Sequence, residues 1–344
     1  SEDRDKVSRY NEQAGHRSKR EGAFEAAGKY FQSALSLLPS DSWSTDYERT
    51  AALSKALVAV EYLGYELEQA ERHWRTYVEH ARTIVEKIEA HIVKIDALSS
   101  VGRLHQAIAT AQEALSLLGA RYPARPGKMT VGLELWKAKR SIRGKTLEDL
   151  LPSADQDNPE KQALLDLLVS AMPAATLSYQ ENLVALLVFK AVQLVATKTN
   201  SPQGGVSLAL YAYILQSVLG DFKTGRPIGE LALQLLRHYN DPIPLGSGLF
   251  VLACMVFPWT HPLHEIKKVL LEGHKQSMKG GDMLFAGFNL NVAITEQCMY
   301  SDSVGATLQL MDEHEDFLLR LNNPHTINEM IACRQVVRQF SGLT

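Results

Sequence analysis

Ala34-Leu35-Ser36-Leu37-Leu38 recurs unchanged as Ala114-Leu115-Ser116-Leu117-Leu118, and each copy closes a run in which small side chains return at helical spacing. Before the first copy stand Ala27, Phe31 and Ala34, with Pro39 behind them and Gly15 twelve residues ahead of Ala27. Small residues belong where two paired helices touch, because a larger side chain there would hold the rods apart. The echo therefore predicts a stack of helical hairpins. Apolar residues elsewhere keep the same period, as in Leu53, Leu57, Val60 and Leu63, or Leu104, Ile108, Ala111 and Leu115. Almost nothing alternates with the period of two that a strand needs, so the expected fold is all-α with essentially no sheet.

The spacing of Ala27, Phe31, Ala34 and Pro39 is that of the second helix of a tetratricopeptide repeat. From Ala27 to Ala70 and on to Ala107 the intervals are 43 and 37 residues, longer than the roughly 34 of a strict repeat. Three hairpins follow: residues 4–21 with 24–38, 46–63 with 67–85, and 88–101 with 104–118. Gly64, Gly102 and Gly220 are placed at tight turns, where a positive φ is cheap only for glycine. Between residues 122 and 160 the rhythm weakens among Pro123, Pro126, Pro152 and Pro159, basic Lys137, Lys139, Arg140, Arg143 and Lys145, and a polar tract from Asp155 to Glu160. That stretch reads as an irregular insert or hinge between hairpins at 1–121 and divergent hairpins at 161–344. Residues 182–196 are apolar apart from Lys190 and Gln193, which describes a helix buried on most sides. Hairpins resume at 206–219 with 222–239, 243–257 with 264–279, and 283–299 with 304–321, and residues 324–340 begin one more helix. The whole is expected to be a right-handed solenoid of about eight hairpins.

Composition excludes several functions. Lys and Arg number 36 against 39 Asp and Glu, for a formal charge of -3, so no global field holds a polyanion, and neither nucleic acid nor a membrane is an expected partner. Cys254, Cys298 and Cys333 are odd in number, far apart and without a CxxC pair, which predicts reduced thiols and a cytoplasmic compartment. Residues 1–20 are charged and polar, so no signal or transit segment is expected there. The chain opens and closes inside helical pattern, as a piece of a longer protein would. The uncharged run from Asp241 to His261 contains Pro242, Pro244, Gly246, Gly248 and Pro258 and reads as a buried helix rather than a membrane span.

The motifs that bear on chemistry are few. Gly144-Lys145-Thr146 has the tail of a phosphate-binding loop, but Lys139 stands where the wrapping glycine is required. The plainer reading is a glycine that ends one helix and a threonine that caps the next ahead of Glu148 and Asp149. His261, His264 and Glu265 offer two imidazoles and a carboxylate at a helix start, at the wrong spacing for a zincin. They define the weakest alternative, a metal-dependent hydrolase. His73, Trp74, Tyr77 and His80 form an aromatic stripe along one helix, read as core. Phe189, Tyr211, Tyr213 and Trp259 mark a second alternative, an enclosed pocket for a small effector. No cofactor, metal or catalytic residue is expected.

A hairpin stack offers a concave face lined by the first helix of each pair. Projection onto that face selects Arg9, Glu12, His16, Lys19 and Arg20 from the first hairpin, Lys55, Ala59 and Tyr62 from the second, and Ile92, Asp96 and Ser99 from the third. The prediction is a groove of mixed charge with a basic end, holding a protein or peptide.

Several stretches carry a resemblance beyond the repeat. They are Tyr10-Asn11-Glu12-Gln13-Ala14-Gly15 leading into Ala26-Ala27-Gly28-Lys29-Tyr30-Phe31, Leu37-Leu38-Pro39, Asp46-Tyr47-Glu48, Glu61-Tyr62-Leu63 before Gly64, Ser217-Val218-Leu219-Gly220-Asp221, and Pro258-Trp259 ahead of Pro262-Leu263. Together they resemble the tetratricopeptide-like helical region that follows the AAA-type, STAND-like ATPase module in bacterial and fungal multi-sensor proteins. In those proteins a serine/threonine-kinase-like domain commonly precedes the ATPase, and GAF and histidine-kinase or other output domains commonly follow. Gly225, Gly229 and Pro258 depart from the repeat pattern. The resemblance implies a non-catalytic regulatory segment that senses a protein, peptide or small effector, or the flanking domains of its own chain.

Overall fold

A computed structural model describes residues 2–64, 66–152, 158–300, 303–321 and 324–341. Among the described residues all regular structure is helical and none lies in a strand. In chain order the helices are α1 (Glu2–Arg20), α2 (Phe24–Ser36), α3 (Ser42–Thr45), α4 (Tyr47–Leu63), α5 (Leu67–His80), α6 (Ile84–Ser100), α7 (Leu104–Leu117), α8 (Lys128–Ile142) and α9 (Leu147–Leu150). They continue as α10 (Pro159–Leu177), α11 (Glu181–Val195), α12 (Gly204–Tyr213), α13 (Phe222–Tyr239), α14 (Pro242–Val251), α15 (Leu263–Gly280), α16 (Met283–Tyr300), α17 (Val304–Arg320) and α18 (Pro324–Ser341). By compactness the chain divides into two units, Ser1–Pro126 with Pro159–Val184, and Gly127–Asn158 with Ala185–Thr344.

In the first unit α1 pairs with α2, α4 with α5 and α6 with α7, and α10 lies against α6 and α7. The first hairpin closes where the small-residue spacing places it. A Cβ added to Gly15 would stand 2.7 Å from Cε1 of the fully buried Phe31 ring. Ser8 Oγ adds a hydrogen bond to the Ala34 carbonyl across the pair, at 2.9 Å. Two expectations need correction here. α5 ends at His80 rather than Val85, because Thr83 opens α6 with a capping box, accepting from the Glu86 N–H while Glu86 accepts from the Thr83 N–H. Gly102 has φ +75° and Gly220 φ +67°, as a glycine turn requires, but Gly64 sits at φ -81°. What Gly64 supplies is room: a Cβ there would lie 3.2 Å from the Val60 carbonyl oxygen.

The stretch read as irregular contains a full helix, α8. Its prolines lie outside that helix, at 123, 126, 152 and 159, and its interior carries Leu133, Glu134, Leu135, Lys137, Ala138, Lys139 and Arg140, all of which favour helix. Residues 153–157 of the polar tract lie outside the described residues. In the second unit α8 presents Glu134 to α11, which explains why Lys190 and Gln193 interrupt that apolar helix. Lys190 Nζ and Gln193 Nε2 reach Glu134 Oε2 at 2.8 and 2.9 Å, and Lys137 reaches Oε1 at 2.8 Å. Burial alone would push the Glu134 carboxyl up, but these donors outweigh it and hold the pKa at about 2.

Further along the second unit, α12 pairs with α13, α14 with α15, and α16 with α17 and α18. The first helices of two hairpins end alike: α12 runs into a π turn at Ile214–Val218 and α14 into one at Leu252–Val256. Glycine provides the contact surfaces, with Leu236 of α13 filling the space that a Cβ on Gly205 or Gly248 would need. Pro242–Trp259 is, among the described residues, the one helical stretch long and apolar enough to cross a membrane by length and composition. It is 61% buried inside the second unit's packing. The last helix joins a core of Leu290, Ile294, Met311, Leu318, Met330 and Val337 drawn from α16, α17 and α18.

Candidate functional site

The first unit carries an open groove of about 660 Å³. One wall is a face of α5, with Leu67, Glu68, Glu71, Arg72 and Arg75 at helical spacing. The other is a face of α7, with Gln106, Ala109, Thr110 and Glu113, and Tyr62, Lys94 and Leu98 complete the lining. Glu71 organises the base. It accepts from the Tyr62 hydroxyl at 2.8 Å, from Lys94 Nζ at 2.6 Å and from Arg75 Nε at 3.3 Å. Burial pushes the Glu71 carboxyl up, yet the hydrogen bonds from Lys94 and Tyr62 outweigh it, so its pKa sits below the ordinary carboxylate value. Lys94 Nζ also lies 3.7 Å above the Trp74 ring, a cation–π contact that fixes it in place. Around the mouth, Glu68, Arg72, Gln106 and Glu113 are exposed and make no side-chain hydrogen bond or ion pair among the described residues. Both signs of charge thus flank the groove, whose accessible apolar lining is Leu67 and Ala109.

Of the residues projected onto a concave face, Tyr62 alone lines this groove, and it does so as a buried side chain, 2% exposed. The others lie along the first helices, several of them paired. Arg9 bonds Asp5 at 2.9 Å within α1. Glu12 and Asp5 both hold Arg49 of α4, at 3.2 and 2.5 Å. Lys55 of α4 meets Glu89 of α6 at 3.6 Å, and Asp96 of α6 accepts from Ser170 of α10 at 2.5 Å. The His16 ring packs edge-on against Phe31 at 5.0 Å, and burial holds its pKa below the ordinary value. Lys19 and Arg20 complete the last turn of α1. Glu12, Lys55 and Asp96 bridge neighbouring helices, and Arg49 is a hub that projection missed. Spacing gave no signal for it, because the acids that hold it, Asp5 and Glu12, arrive from another helix.

The remaining motifs resolve individually. Gly144 has φ +70° and the Thr146 N–H and hydroxyl both donate to Asp149, at 2.9 and 3.0 Å, so this trio is a helix junction. His261 bonds Thr260 at 2.8 Å and packs on Phe257, while His264 and Glu265 are exposed. Among the described residues no three His, Cys, Asp or Glu side chains gather as a metal site. Trp74 and Tyr77 are buried core, and the Trp74 Nε1 proton goes to the Ala90 carbonyl at 3.0 Å. Phe189 and Tyr211 are buried edge to face at 6.0 Å, but Trp259 is 59% exposed and packs on Phe222 instead, so these four aromatics do not enclose one pocket. The three cysteines are free thiols. Cys298 of α16 and Cys333 of α18 face one another: the Cys298 hydrogen bond holds Cys333 below the usual thiol range and raises Cys298.

Set against known proteins, the chain matches no protein-family model and no curated sequence. Its functional reading therefore rests on its own residues.

Proposed function

We propose that this chain is a non-catalytic interaction module: a tetratricopeptide-like solenoid segment that takes a peptide in the α5–α7 groove and acts as a cytoplasmic regulatory part of a larger signalling ATPase or kinase. What supports the reading is the groove itself, with Arg72, Glu68 and Glu113 unpaired among the described residues at its mouth, above a fixed Tyr62–Glu71–Lys94 base. A segment of mixed charge pairs with both signs there, and an apolar side chain packs on Leu67 and Ala109. The base is already hydrogen-bonded without a ligand, so little ordering cost falls on the protein when it binds. The regulatory role rests on the sequence resemblance and adds that occupancy of the groove stiffens adjoining hairpins.

The test is a selection of peptides from a random display library on the intact chain, repeated on Ala109→Trp, which fills the groove from an exposed position, and on Arg72→Glu. Peptides that bind the native chain and weaken by about tenfold or more on both variants support the proposal. Peptides indifferent to both, or a failure to recover any, overturn it.

A further inference from the structure

A second surface, independent of the groove and of the reading just given, lies on α8. Its residues divide between two faces. Glu134, Ala138 and Ile142 recur every four residues and are buried. Met129, Leu133 and Trp136 follow the opposite face and are 91%, 53% and 57% exposed. Arg140 and Arg143 continue that outer face toward the C-terminus, with the Arg140 guanidinium 5.6 Å from the Trp136 ring centre. Gly132 lies between Met129 and Leu133 with open space around it. A helix that packs only one side normally clothes the other in charge alone. Here a large apolar stripe is left in water.

The charge around the stripe is one-sided. From residue 127 to 145 the chain has Lys128, Lys137, Lys139, Arg140, Arg143 and Lys145 against a single acid, Glu134. That acid is buried and already occupied by Lys137 and Lys190. Lys139 is held by Asp221 at 3.1 Å. Lys128 and Arg143 make no side-chain hydrogen bond or ion pair among the described residues, and acids resume only at Glu148 and Asp149 on α9. A chain of net charge -3 has therefore gathered a local positive field beside an exposed large apolar helix face.

We propose that α8 is a membrane-contact helix, lying in the plane of an anionic phospholipid surface with Met129, Leu133 and Trp136 in the headgroup–acyl boundary and Arg140, Arg143 and Lys128 on lipid phosphates. The complementary charge comes from the lipid headgroups. Shape favours a lipid surface over an acidic protein, because the stripe projects as a ridge: a fluid interface admits a ridge, whereas a protein partner would have to supply a matching cleft. Tryptophan suits the boundary, its ring apolar and its N–H left to water and headgroups. The overall charge balance pointed away from membranes because it averages this local field over the whole chain.

The experiment is co-sedimentation of the intact chain with phosphatidylcholine vesicles and with vesicles containing phosphatidylserine, at low and high salt. Binding to the phosphatidylserine vesicles alone is expected, and it weakens as salt rises. Trp136→Ala should lower partitioning by about tenfold, and Arg140→Glu with Arg143→Glu by more than about tenfold. Trp136→Phe should retain most of the binding. These positions are exposed, and circular dichroism verifies that each variant folds. As a second readout on the native chain, a brominated lipid should quench tryptophan emission, and Trp136→Phe should remove that quenching. No binding to anionic vesicles overturns the proposal, as does binding that all these variants retain. Tighter binding of soluble polyglutamate than of vesicles, lost in the same variants, also overturns it and assigns the face to an acidic protein.

Discussion

The α1–α2 hairpin and the α12–α15 hairpins bring helices into close contact by opposite means. In the first, one glycine receives one large ring: Gly15 of α1 beneath Phe31 of α2, where Phe31, Ala27 and Ala34 are all fully buried. In the second, glycines on several helices receive aliphatic branches and even backbone. Gly205 and Gly248 clasp Leu236, Gly229 abuts Val256, and Gly246 touches the Ser277 backbone. The first helices there also run out through π turns, whose extra residue per turn shifts the register before the chain turns back. A helical hairpin needs a close approach but does not prescribe which residue supplies it. An aromatic against glycine tolerates adjustment by a tilt of the ring, whereas a glycine against backbone has no slack.

The largest expected effect follows from that lack of slack. A Cβ at Gly246 would overlap Ser277 Oγ and stand 2.8 Å from Ser277 N and 3.1 Å from the Gly273 carbonyl oxygen. Gly246→Ala should cost about 3 kcal/mol in urea unfolding, and a loss under about 1 kcal/mol would show that α14 and α15 can separate freely. Next comes Glu134, which joins α8 to α11. Its folded pKa of about 2 lies below the ordinary 4.5, so its contribution is present in full above the ordinary value and is lost as pH falls toward about 2. Glu134→Gln should cost about 2 kcal/mol at neutral pH, because Lys190 is left partly buried without its anion. The gap between variant and native chain should narrow steadily below about pH 4.5 and close only as pH approaches about 2; a gap that stays constant would mean the carboxylate charge is irrelevant.

This contrast also decides what was legible in the sequence. Helix positions were readable almost throughout, because the 3.6-residue apolar period depends only on which side of each helix is buried. Gly15 was legible as a place where paired helices touch, because a small residue is needed there; that the Phe31 ring is what fills the space was not. Gly225 and Gly229 looked like departures from the repeat pattern, yet in the structure Gly225 meets Gln216 and Gly229 meets Val256, which is close packing by another route. α8 was hidden by prolines that flank it without entering it. Projection chose the first helices, whereas the groove is lined by α5 and α7, and three of the chosen charges, Glu12, Lys55 and Asp96, bridge α1 to α4, α4 to α6 and α6 to α10. Sequence spacing reports which face a residue shares. It does not report which opposing charge arrives from another helix.

Smaller effects sharpen the same comparison. Gly15→Ala presses on the Phe31 ring, which can tilt, so the expected cost is about 1.5 kcal/mol, well under that at Gly246. Equal costs at the two positions would erase the distinction between ring and backbone contacts.

The bridging charges on the first helices set the smallest effects, and burial separates them. Arg49 has a side chain 11% exposed and engages Asp5, Glu12 and Ser8 together. Arg49→Ala removes a hub whose partners stay close to one another, with an expected cost of about 1 kcal/mol. Lys55 and Glu89 are 47% and 49% exposed and stand 3.6 Å apart. Holding two long side chains in one geometry offsets most of what their attraction contributes in water. Lys55→Ala should therefore change the unfolding free energy by less than about 0.5 kcal/mol, and both costs are read from urea midpoints at low and high salt. If Lys55→Ala costs as much as Arg49→Ala, the bridges act as one connected network running from α1 to α6, and the projected face is a structural seam along its whole length. If only Arg49→Ala is costly, the seam is confined to α1 and α4.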